Sequence, residues 1–78
     1  MVNKVKVYSL PTWQWCLKVK QLLDENKVSY QDYDLAKDKI AMEEMVNLTG
    51  QTGVPVIDID GEIAVGYDPD WLKNKLGI

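Results

Sequence analysis

The chain has 78 residues and a formal net charge of −3, and it contains one cysteine and no histidine. We expect residues 1–78 to form a single domain. The chain has no basic stripe for nucleic acid, and no apolar run approaches the ~20 residues of a membrane span. A single cysteine without histidine excludes an internal disulfide and a Cys/His dyad, and we expect no metal site. No signal-peptide-like stretch follows Met1, which predicts a cytoplasmic protein.

The first predicted elements are a strand and a helix joined by a short turn. Residues 2–8 alternate in polarity and predict the strand. Residues 9–12 form the turn, and Thr12 is the expected helix N-cap. The helix should run over 13–25, with Cys16 beside its apolar stripe. That stripe consists of Trp15, Val19, Leu22 and Leu23.

The rest of the chain predicts two further helices and three further strands. Asp60-Gly61 is a strong signal for a tight hairpin, because both turn positions need positive φ. Gly50 is the expected C-terminal residue of the second helix, and Asp68 is the expected cap of the last one. Ile40, Met45 and Leu48 should share one side of the second helix. The predicted ranges are a strand at 29–35, a helix at 37–49, strands at 54–59 and 62–65, and a helix at 69–76.

The order β-α-β-α-β-β-α belongs to the α/β class. Two strands joined by a helix form a right-handed parallel unit, and the hairpin adds two antiparallel strands. We therefore predict a four-stranded mixed sheet with three helices distributed over both faces.

Three separated segments of the chain match the sequence motifs of one known family. Each is a weak signal alone, but the three occur together in this order of elements. The segments are Val7-Tyr8-Ser9-Leu10-Pro11-Thr12 followed by Trp13-Gln14-Trp15-Cys16, then Thr52-Gly53-Val54-Pro55-Val56-Ile57, and finally Gly61 with Val65-Gly66-Tyr67-Asp68 before the last helix. Nearly the whole chain resembles the glutaredoxin family of the thioredoxin fold, and in particular small bacterial glutaredoxin-like proteins.

The resemblance implies thiol–disulfide exchange with protein or glutathione disulfides, by a monomer without a cofactor and with glutathione as the candidate co-substrate. In the family's Cys-Pro-aromatic-Cys motif the first thiolate attacks and the second cysteine resolves the mixed disulfide. Here Trp13 stands in the nucleophile position and Cys16 in the resolving position. The family's cis proline matches Pro55. The substrate-binding positions implied by the resemblance are Thr12, Gln14, Trp15, Val54, Pro55, Gly66, Tyr67 and Asp68.

This chain departs from the family where the chemistry takes place. Trp13 has no nucleophilic group, Gln14 replaces the usual proline, and Leu10 replaces a lysine found in many glutathione-using members. We expect the chain to be redox-inactive; the alternative is a non-catalytic module that binds peptides or glutathione. Cys16 fits a small buried hydrophobic residue as well as a resolving cysteine. The lysines near this motif, Lys4, Lys6, Lys18 and Lys20, read as solvated.

Three origins of Trp13 remain open at this point. Some bacterial relatives carry selenocysteine, encoded by UGA, and a change to UGG or tryptophan insertion at that codon gives Trp. Deliberate replacement of Trp13 and Gln14 is a second origin, and natural loss of catalysis is a third. The codon in the source genome separates the first from the others.

Overall fold

The computed structural model describes residues 4–78, within which the chain forms four strands and three helices. The predicted order of elements is confirmed, while residues 2 and 3 of the first predicted strand lie outside the described part. The strands are β1 (Val5–Ser9), β2 (Gln31–Asp34), β3 (Val56–Ile59) and β4 (Glu62–Val65). The helices are α1 (Gln14–Glu25), α2 (Lys39–Thr49) and α3 (Pro69–Leu76).

The strands form one mixed sheet in the order β2-β1-β3-β4. β1 pairs with β2 in parallel, with Val7 opposite Asp32. β1 also pairs antiparallel with β3, which in turn pairs antiparallel with β4. The predicted hairpin is confirmed, since Asp60 and Gly61 have φ values of 52° and 93°. The carboxyl end of β1 therefore lies beside the amino end of β3.

The helices cover both faces of the sheet, as predicted. On one face α1 and α3 pack over β1 and β3, and the buried residues there are Val5, Val7, Val19, Leu22, Leu23, Ile57, Ile59 and Leu72. On the other face α2 packs over the same two strands, with Tyr8, Leu35, Ala41, Met45 and Val56 buried. Side chains alternate between the faces along a strand, so neighbouring residues of β1 enter different cores.

The apolar side predicted for α2 is partly wrong. Ile40 is 74% exposed and Leu48 is 50% exposed, while Met45 is fully buried together with Ala41. Asp38 caps the helix by accepting a hydrogen bond from the Ala41 amide at 3.0 Å. This start turns Ala41 and Met45, one helical turn apart, toward the sheet, and Ile40 consequently faces solvent.

The end of α2 and the start of α3 agree with the sequence. Gly50 ends α2 with φ 69°, and Asp68 caps α3 with Pro69 in its first turn. No helix within residues 4–78 is long and apolar enough to cross a membrane.

Candidate functional site

The structure brings the three sequence segments together at the edge where β1 ends and β3 begins. The amide of Gly66 donates a hydrogen bond to the Pro55 carbonyl at 2.7 Å. The Trp15 ring stacks on Tyr67, with centroids 6.0 Å apart and planes inclined by 27°. Tyr8 pairs with Val56, which places Pro55 beside the turn that leads into α1. Residues far apart in sequence thus form one continuous surface.

The start of α1 differs from the prediction by one residue. Trp13, not Thr12, is the N-cap, and no side chain caps the helix. The Trp13 amide instead donates to the Leu10 carbonyl at 3.1 Å, which closes the preceding turn and places Thr12 on its exposed tip. The first amides of the helix therefore lack a side-chain acceptor, and they carry the positive end of the helix dipole.

Cys16 lies in the first turn of α1 and is fully buried. Burial raises the pKa of its thiol, and the charge of Asp32 raises that pKa further. A backbone hydrogen bond from Leu10 and the charge of Lys20 act in the opposite direction and lower it. A thiol with a raised pKa and no solvent access is a poor nucleophile. The only sulfur nucleophile of the sequence is therefore neutral and enclosed in this conformation.

Two tryptophans mark the outer surface of the helix start. Trp13 is 48% exposed and Trp15 is 42% exposed, so Trp15 does not belong to the buried stripe in which the sequence placed it. The Lys18 ammonium lies 5.7 Å from the centroid of the Trp15 ring, within the range of a cation–π contact. Trp15 contacts Tyr67 and Lys18 on the outer surface, and the buried stripe of α1 begins with Cys16 and Val19 instead.

The segment before β3 offers an unpaired backbone. The Val54-Pro55 peptide bond is cis, as the resemblance predicted. Pro55 is buried and Val54 is half-buried, and no backbone hydrogen bond is formed by Val54 within residues 4–78. An extended peptide could pair with free N–H and C=O groups of this kind as an added strand.

The turn after β4, residues 66–68, connects the strand to α3 and caps that helix. Gly66 has φ 92°, a value that favours glycine. The Asp68 carboxylate accepts from the Trp71 amide at 3.1 Å and so caps α3. Tyr67 is half-buried and packs against the core under α1 and α3. Of the three residues, Tyr67 is the one whose side chain contacts another candidate site residue.

The prediction that Lys20 is solvated is wrong. Its ammonium forms an ion pair with Asp32 at 2.8 Å, and the same carboxylate accepts from the Ser9 hydroxyl at 2.8 Å. Sequence reasoning missed this group of three, although Lys20 follows Cys16 by four residues and must share its side of the helix. The position of Asp32 on the face covered by α1 follows only from the parallel register of β1 and β2.

Comparison with known proteins assigns the chain to a family that has this geometry. The family model described as Glutaredoxin matches residues 5–64. The chain belongs to the glutaredoxin family. It is 45% identical over 64 residues to a glutaredoxin-like 8.6 kDa protein of the rubredoxin operon of Clostridium pasteurianum, an overlap covering 82% of this chain and 85% of that protein.

Solved glutaredoxin-type structures share the fold. The thioredoxin-like protein BC3987 superposes with a TM-score of 0.87 at 30% identity, covering 92% of this chain and 99% of that one. A buckwheat glutaredoxin–glutathione complex superposes with a TM-score of 0.75 at 28% identity, covering 96% and 71%. The four-stranded sheet and three helices of residues 4–78 are thus a thioredoxin-like fold, and the helix start and the cis-proline segment of this glutaredoxin meet at one site.

Proposed function

We propose that this chain is a glutaredoxin-like scaffold for thiol–disulfide exchange in which Trp13 fills the nucleophile position, so that the chain itself does not turn over disulfides. One observation carries the proposal. The exposed helix start presents an indole, while the lone thiol of the sequence, on Cys16, is buried with a raised pKa. Membership of the family supplies the reaction class.

The chemistry of the proposal follows from the position of each group. A thiolate at residue 13 would lie beside the uncapped amides of α1, whose dipole favours an anion. It would attack one sulfur of a disulfide and release the other as a thiol, and Cys16 would then displace the bound sulfur to form an internal disulfide. Reduction of that disulfide would need two electrons, supplied by two molecules of a thiol such as glutathione that leave joined as a disulfide. Trp13 removes the first step, and with it the cycle.

The test restores the missing sulfur. Trp13→Cys should gain reduction of a glutathione mixed disulfide, whereas the native chain and Trp13→Ser should show none. Trp13→Ser is the matched control, because it removes the indole without adding a thiol. Turnover by the native chain would overturn the proposed inactivity. Absence of turnover in a folded Trp13→Cys protein would favour the binding module instead.

The second candidate is a non-catalytic module that binds peptides or glutathione. It is favoured by the free backbone of Val54 and by the half-exposed pair of Trp15 and Tyr67 beside it. The buckwheat relative, whose structure holds glutathione, suggests the ligand. Titration with S-methylglutathione, which cannot exchange sulfur, should shift the amide resonances of Val54 and residues 66–68. The hairpin at Gly61, at the far end of β3 and β4, should not respond.

We also propose that residues 1–78 act as one cytoplasmic, monomeric domain, in keeping with the family assignment. The origin of Trp13 belongs to the same proposal. A UGA codon at this position in the source genome would indicate that Trp13 occupies the position of a selenocysteine. A UGG codon there would indicate natural loss, and a cysteine codon would indicate a deliberate change.

A further inference from the structure

Three polar side chains meet between α1 and the sheet, behind the candidate site. Asp32 accepts through one oxygen from the Ser9 hydroxyl and through the other from the Lys20 ammonium, both at 2.8 Å. Ser9 is fully buried, and the side chain of Lys20 is 17% exposed while that of Asp32 is 37% exposed. Lysine side chains are seldom buried to this extent unless the ammonium group has a fixed partner.

The fold explains why these residues meet. Asp32 stands opposite Val7 in the parallel register of β1 and β2, so its side chain points to the face on which Val7 and Ser9 lie. That face is the one covered by α1. Lys20, on α1, reaches down to it. The ion pair therefore fixes the position of the Lys20 ammonium with respect to both the helix and the sheet.

The fixed ammonium and the Cys16 thiol belong to neighbouring positions on one side of α1. Residues four apart in a helix are neighbours on the same side, about 5–6 Å apart at their Cβ atoms, and Lys20 follows Cys16 by four. Within the described residues, the charged side chains that act on the thiol are Lys20 from α1 and Asp32 from β2. Lys20 acts in favour of the thiolate and Asp32 against it, and the effect of Lys20 is the larger of the two.

We infer that Lys20 is a positioning residue for Cys16: its ammonium, held by Asp32 and Ser9, places a fixed positive charge beside the sulfur and raises the share of thiolate that burial would otherwise suppress. The use of this charge in resolving a mixed disulfide rests on the proposed function. The effect of Lys20 on the Cys16 thiol does not rest on the proposed function, because that thiol is present in the native chain.

Thiol titration of the unaltered chain and its variants tests the inference. The ultraviolet absorbance of the thiolate is followed against pH, with Cys16→Ala as the blank for tyrosine. Lys20→Met should move the rise of the thiolate absorbance to higher pH and, on the acid side of that rise, lower the thiolate fraction by about 3- to 10-fold, since a tenfold loss corresponds to one pH unit of displacement. Lys20→Arg should retain the native titration, because a guanidinium can bridge the same carboxylate.

Lys18→Met is the matched control. It removes the same charge from the same helix, but Lys18 is exposed and lies over Trp15. Its titration should coincide with that of the native chain. The double variant Lys20→Met/Asp32→Asn should lose less thiolate than Lys20→Met alone, because it also removes the opposing charge.

The outcomes separate positioning from a purely structural ion pair. If Lys20→Met lowers the unfolding free energy but leaves the thiol titration unchanged, the lysine only ties α1 to β2 and the inference is wrong. An equal shift in Lys18→Met would also contradict it, because net charge alone would then explain the effect. Since no step requires disulfide turnover, inactivity of Trp13→Cys would leave this test unaffected.

Discussion

Replacement of Tyr8 by phenylalanine tests the packing under the candidate site. Tyr8 is fully buried, stacks on Tyr33 with centroids 5.0 Å apart, and its hydroxyl has no hydrogen-bond partner within residues 4–78. Burial, followed by the facing Glu44 carboxylate, raises the pKa of Tyr8 from 10.0 to about 12. Because the hydroxyl forms no hydrogen bond of ordinary geometry within residues 4–78, we expect Tyr8→Phe to leave the unfolding free energy at neutral pH unchanged or raise it by up to about 1 kcal/mol.

The large effect should appear at alkaline pH. Above pH 10 the unfolded chain loses the Tyr8 proton while the folded chain keeps it until about pH 12, so unfolding releases a proton and stability falls as pH rises. Each tenfold difference in proton affinity is worth about 1.4 kcal/mol. The native chain should therefore lose roughly 2–3 kcal/mol through Tyr8 by the end of this window. Tyr8→Phe should not show that loss.

Urea unfolding followed by tryptophan fluorescence measures both variants from neutral to alkaline pH. The informative quantity is the difference in unfolding free energy between the native chain and Tyr8→Phe at each pH, because contributions common to both proteins cancel in it. Tyr67→Phe, which leaves Tyr8 in place, should parallel the native chain. A native-minus-variant difference that stays constant with pH would refute the assignment of a buried, proton-retaining Tyr8.

Three further outcomes can be measured on the same protein. Asp68→Ala should lower the unfolding free energy by about 1 kcal/mol through loss of the α3 cap, and Asp68→Asn, which keeps a capping oxygen, should retain most of it. A double-mutant cycle on Trp15 and Tyr67 should give a coupling of about 0.5–1 kcal/mol, whereas a coupling near zero would mean that the rings do not stack in solution. Cys16 should react slowly with iodoacetamide at neutral pH, and alkylation at the rate of a free low-pKa thiolate would contradict its burial.

The candidate site combines an available surface with an unavailable nucleophile. The surface carries the half-exposed Trp15 and Tyr67 and the free backbone of Val54. The sulfur beneath it is enclosed. In a dithiol relative the buried resolving cysteine would be reached only through the exposed first sulfur, which explains why loss of that one group at Trp13 is expected to stop the reaction.

Local signals determined much of the fold. The hairpin at Asp60-Gly61, the cap at Asp68 and the helix end at Gly50 each depend on a few neighbouring residues, and all three were predicted. The parallel pairing of β1 with β2 followed from the length of the connecting helix. Where local signals conflicted, the prediction failed: Thr12 is a good capping residue, but the turn closed by the Trp13 amide starts the helix one residue later.

The sequence by itself determined which residues carry chemistry: one thiol, no imidazole, and an indole at the helix start. Only the tertiary structure decided their surroundings. Trp15 stacks on Tyr67 and Lys20 pairs with Asp32, and both of these partners are distant in sequence. Burial and ion pairing depend on contacts that close only when the sheet forms, whereas caps and turns depend on adjacent residues. For that reason the sequence predicted a solvated Lys20, and its helical periodicity placed Trp15 in the buried stripe.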